Sequence, residues 1–80
     1  MTLKQALNVI CETRYNIVVH GENGYESIKI DYTHDDKCTG GSFTIAAAKR
    51  AEVIKAKNRV SWIRYNNALN MIEIRVDIIS

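Results

Sequence analysis

Apolar residues fall into two periods along this chain, and the alternation between them outlines the fold. Leu3, Ala6, Leu7 and Ile10 recur at i, i+3, i+4 and i+7, one face of a helix. Thr2 and Gln5 stand three apart at its start, the spacing of a capping box. A first helix is expected from about Thr2 to Cys11. "YNIVVHG" then brings a β-branched run that ends at a glycine, and "YESIKIDYT" alternates, with Ile28, Ile30 and Tyr32 on one side and Lys29 and Asp31 on the other. Between them Asn23-Gly24 is the dipeptide of a type I′ hairpin turn, with φ > 0 expected at both positions.

A helical segment, "FTIAAAKRAEVIKAKN", follows without glycine or proline. Phe43, Ala47, Ala51 and Ile54 project as one stripe, with Ala46 and Val53 at its edge; Ser42 or Thr44 is placed to cap its start. The last stretch alternates again. Val60 and Trp62 oppose Ser61 and Ile63, Asn66-Asn67 and Asn70 mark a turn, and Ile72, Ile74, Val76 and Ile78 oppose Met71, Glu73, Arg75 and Asp77. The order is α-β-β-α-β-β. It predicts an α+β fold with a four-stranded, mostly antiparallel sheet and two helices on one face. The other face, with Lys29, Asp31, Glu73, Arg75 and Asp77, is left to water or a partner.

Length makes this one domain, residues 1–80, with a thin core in which Trp62 is expected to be buried. With 46% apolar and 25% charged residues, disorder is excluded. No apolar run is long enough to cross a bilayer, and the start does not read as a secretory signal. Cys11 and Cys38 form no paired metal spacing, so a reducing cytoplasm is expected.

The densest chemistry lies in "THDDKCTGGS". His34, Asp35, Asp36 and Cys38 are all metal-ligand types, but adjacent aspartates converge poorly on one ion and no second ligand pair stands elsewhere, so no metal site is expected. Cys38 precedes a helix start, where its thiol would be acidified, and His34 could serve as its base; no orienting third group is evident. "TGGS" offers backbone N–H groups to an anion but lacks the P-loop spacing and its lysine. The stretch reads as a connector. No catalytic residue and no cofactor are expected, and a small thiol enzyme is the most distant alternative.

Charge is divided unevenly. Residues 1–43 carry net −2 and residues 44–80 net +4. Two binding surfaces follow from this. The acidic residues Glu22, Glu26, Asp31, Asp35 and Asp36 suit a basic, nucleic-acid-handling protein or nucleoprotein. The basic residues Lys49, Arg50, Lys55, Lys57, Arg59 and Arg64, near Trp62 and Tyr65, suit nucleic acid, with helix 44–58 as the binding edge. An exposed strand edge or sheet face also permits a homodimer.

Two resemblances bear on this choice. "TGGSFTIAAAKRAEVIKAK" is similar to the last helix of double-stranded-RNA-binding domains. It lacks their lysine pair at the helix start, has two strands before the helix where they have three, and adds a hairpin after it. That family is set aside. The layout of "MTLKQALNVI", a hairpin, "AAAKRAEVI" and "NMIEIRV" resembles small accessory proteins of phages and mobile elements, a class that includes anti-CRISPR-type antagonists of host defence. The resemblance implies stoichiometric docking in the host cytoplasm, and it assigns no residue. The expectation is a non-catalytic binding protein, with nucleic-acid binding as the alternative.

Overall fold

The structure, a computed structural model, describes residues 1–10, 12–31 and 41–79, with residues 41–44 described by backbone alone. Its elements are α1 (Leu3–Val9), β1 (Arg14–Gly21), β2 (Gly24–Asp31), α2 (Gly41–Lys55), β3 (Asn58–Asn66) and β4 (Met71–Ile78). The strands form one sheet in the order β2-β1-β4-β3. Both hairpins are antiparallel and the central β1–β4 pair is parallel. This is the α+β fold and element order that the apolar pattern predicts.

The register sorts side chains between two faces. Tyr15, Ile17 and Val19 stand level with Ile72, Ile74 and Val76 on one side and with Ile30, Ile28 and Glu26 on the other. Leu3 of α1 and Val53 of α2 complete a core with Tyr15, Ile17, Ile28, Ile30, Ile74 and Val76. Both helices therefore lie against this one face. α1 starts as its sequence requires: the Thr2 hydroxyl accepts from the Gln5 backbone N–H, and the Gln5 side chain accepts from that of Thr2.

Asn58 joins the layers. Its Oδ1 accepts from the Leu3 backbone N–H at 2.8 Å, while its Nδ2 donates to the carbonyls of Val53 at 3.0 Å and Ala56 at 2.8 Å. One buried amide thus ties the start of α1, the end of α2 and the start of β3.

Five local expectations need correction. At the first hairpin only Gly24 has positive φ, at 105°, and Gly21 pairs with Gly24, so the turn is Glu22-Asn23 followed by a glycine and not a type I′ Asn23-Gly24 turn. β3 carries a bulge between Val60 and Trp62, which breaks the simple alternation: Val60, Ile63 and Tyr65 lie level with Val76, Ile74 and Ile72, and Trp62 falls on the other face. Trp62 is half-buried on the helix-free side and is not a core residue. α2 is rotated from the expected stripe. Val53 is buried and Ala46 and Ile54 pack against the core, while Ala51 is exposed. Gly41 opens this helix, so Ser42 and Thr44 fall inside its first turn and neither is its N-cap. Cys11, Tyr32, His34, Asp35, Asp36, Cys38 and Gly40 lie outside the described residues.

Candidate binding site on the open sheet face

Alternation sends every second strand residue away from the helices, and the register arranges these residues in rungs across the sheet. One rung is Lys29, Asn16, Glu73 and Arg64; the next is Ser27, Val18, Arg75 and Trp62. A third brings Tyr25, His20, Asp77 and Arg59 into line. The open face anticipated from Lys29, Asp31, Glu73, Arg75 and Asp77 is thus present. Beside Glu73 at its centre stands Asn16, which the apolar pattern did not single out.

Glu73 is the hub. It is 6% exposed, and its carboxylate accepts from Asn16 Nδ2 at 3.2 Å, Asn66 Nδ2 at 3.1 Å and Arg64 Nη2 at 3.2 Å. Burial alone would raise its pKa. The hydrogen bonds from Asn66, Asn16 and Arg64, together with the guanidinium charge, outweigh burial and hold it below the usual glutamate range. Asp77 is also held low, first by the Ser61 hydroxyl against the opposing effect of burial, then by Arg75 and by the charge of His20.

The sign of the pH dependence follows. A carboxylate with a depressed folded pKa contributes stability that is complete above its unfolded value and lost as pH falls through the folded one. Thermal unfolding should therefore be flat near neutrality and move to lower temperature below about pH 4. Glu73→Gln should show a shallower acid fall than the parent protein. Equal acid slopes would contradict this account of Glu73.

Aromatic rings flank the hub. The Arg64 guanidinium lies 4.2 Å from the centroid of the Trp62 ring, within cation–π range. His20 and Tyr25 stack with centroids 5.6 Å apart. Between these pairs runs a trough of about 370 Å³, floored by Asn16, Val18 and Glu73 and bordered by Ser27 and by Leu69 of the β3–β4 turn. Asn16 is 2% exposed, and its Oδ1 is the one buried side-chain polar atom without a hydrogen-bond partner among the described residues.

Three arginines of this face are held by carboxylates: Arg14 by Asp31 at 3.0 Å, Arg64 by Glu73, and Arg75 by Asp77 at 3.1 Å. Lys29 and Arg59 add two exposed cations to the same face, so pairing neutralises it only in part.

The residue sets expected from charge are dispersed. Glu22 and Glu26 border a hollow at the tip of the first hairpin. Asp31 ends the same strand, about 17 Å away at the usual rise per residue. Glu26 sits on the helix side, with its carboxylate 3.5 Å from Lys49 Nζ. Of the basic set, Lys49 and Arg50 belong to α2, and Arg50 donates to the Tyr15 hydroxyl at 2.6 Å. Lys55 and Lys57 are exposed at the α2–β3 junction, and Arg59 and Arg64 stand on the open face. Trp62 and Tyr65 occupy opposite faces.

Among the described residues, no three His, Cys, Asp or Glu side chains are grouped to hold a metal ion. None of the described helices is long and apolar enough to cross a membrane. No protein-family model, curated protein or solved structure matches this chain.

Proposed function

We propose that the protein is a non-catalytic binding module that docks its helix-free sheet face, one molecule to one, on a protein or nucleoprotein partner. The observation that carries this reading is the composition of that face. Trp62 with Arg64 and Tyr25 with His20 border one trough, and the charges around it are mostly paired. Tryptophan, tyrosine and arginine are the residues in which binding energy concentrates at protein interfaces. Binding to a phosphate backbone needs cations with their charge to spare. Arg14, Arg64 and Arg75 are committed to carboxylates, and the basic set divides between two layers, which favours a protein surface over nucleic acid.

The resemblance to phage and mobile-element accessory proteins supports a finer version. In it the partner is a host-defence complex, such as a CRISPR effector, inhibited in the host cytoplasm by occupation of a working surface.

Co-purification from a nuclease-treated host lysate tests the choice of partner class. A protein partner is expected to be retained after nuclease digestion and at roughly 0.5 M salt. A nucleic-acid ligand loses orders of magnitude in affinity over such a rise in salt. Capture that disappears with nuclease or with salt would transfer the assignment to nucleic acid.

A further inference from the structure

Resting on the docking reading, we infer that the trough over β1 is an anchor pocket for a single tryptophan side chain of the partner protein. The argument starts from the unmatched acceptor. A buried amide oxygen without a donor has lost its water and gained nothing in exchange, so Asn16 Oδ1 favours any occupant that brings an N–H. The nearest donors serve Glu73: Asn16 Nδ2, Asn66 Nδ2, and Nε and Nη2 of Arg64 all point to its carboxylate. Asn16 Oδ1 is therefore left as an acceptor that the neighbouring amides do not satisfy.

Indole matches that demand, since its Nε1–H donates and the ring has no acceptor. A nucleobase, which carries acceptors beside its donors, is the competing planar occupant that the adenosine probe tests. A lysine or arginine side chain would bring a cation beside the Arg64 guanidinium. The formal charges in the lining, those of Arg64 and Glu73, already neutralise each other. Trp62, Tyr25 and His20 supply ring faces and edges for a planar group, and Val18 and Leu69 supply apolar contact. The trough is open but Asn16 is covered, so an occupant reaches its Oδ1 only as the rim shifts. The rim side chains, Trp62, Tyr25 and Leu69, are half-buried or exposed, and rotamer changes of this kind commonly accompany docking.

The test uses the whole protein, labelled with ¹⁵N, and three probes: N-acetyl-L-tryptophanamide, its 1-methylindole analogue, and adenosine. The tryptophanamide should shift the Asn16 side-chain amide and the backbone amides of Val18 and Ser27. Methylation of the indole nitrogen, or Asn16→Leu, should weaken that binding roughly tenfold or more, the scale of one buried hydrogen bond. The methylated probe tests the contact without altering the protein. Equal affinity for the two indoles, no shift at Asn16, or tighter binding of adenosine would each overturn the inference. If the probes fail while Trp62→Ala still weakens partner capture, only the anchor is lost. If the probes bind as expected while Trp62→Ala leaves capture intact, the docking reading is the one that falls.

Discussion

Asn58→Leu should destabilise the protein by about 3 kcal/mol, one of the two largest effects expected of any single substitution discussed for this chain. Leucine nearly preserves the volume of asparagine, so no large cavity opens. What disappears is the set of three hydrogen bonds joining α1, α2 and β3. The backbone N–H of Leu3 and the carbonyl of Val53 then remain buried without partners, and each such loss costs roughly 1–3 kcal/mol. A domain of this size has only on the order of 5 kcal/mol to lose. Urea unfolding should show a midpoint lowered by roughly 2–3 M at an unchanged slope, given a slope near 1 kcal/mol per molar for a small domain. A shift below about 0.5 M would mean that Asn58 is not the joint between the layers.

The second large effect concerns binding. Trp62→Ala should weaken partner affinity by about 30-fold or more, the consequence of losing roughly 2 kcal/mol at an interface hot spot. The substitution removes one wall of the trough and the ring on which Arg64 rests. Because Trp62 is half-buried and stands outside the core, stability should change far less than it does at Asn58. Ile45→Ala is the control, since Ile45 is 60% exposed on α2 and lies on the helix side of the molecule. Calorimetric titration of the captured partner with the three proteins checks both statements. Parent-like affinity for Trp62→Ala would remove the open face from the binding account.

Much of this architecture was readable from residue periodicity, and the exceptions have physical causes. "MIEIRVDI" declares its two faces because one is buried and every second residue reports it. In "RVSWIRY" two large apolar residues, Trp62 and Ile63, are adjacent, so alternation alone does not choose between them. The bulge at Ser61 decides it, and the pairing of Arg64 with Glu73 across β3 and β4 is the trace of that choice. In α2 the alanines at 46, 47, 48 and 51 blur the stripe. Small apolar side chains suit either a buried or an exposed position, and the helix can turn by one residue at little cost in pattern.

The site was harder to read than the fold. Its charged members on β2 and β4 stood out as the outward half of each alternation. Asn16 did not, and neither did the burial of Glu73, because both owe their burial to neighbours on other strands. The parallel β1–β4 pairing brings them together across 57 positions of sequence. Strand order is a property of the assembled sheet, and no local pattern carries it.

Site-specific photo-crosslinking in the host cell tests the central claim most directly. A photoreactive residue is placed singly at Tyr25 and Lys29 on the open sheet face, and at Ile45 and Glu52 on α2. The account predicts crosslinks to one partner protein from the two sheet positions and none from the helix. The same partner captured from Ile45 or Glu52, with the sheet positions silent, would contradict it.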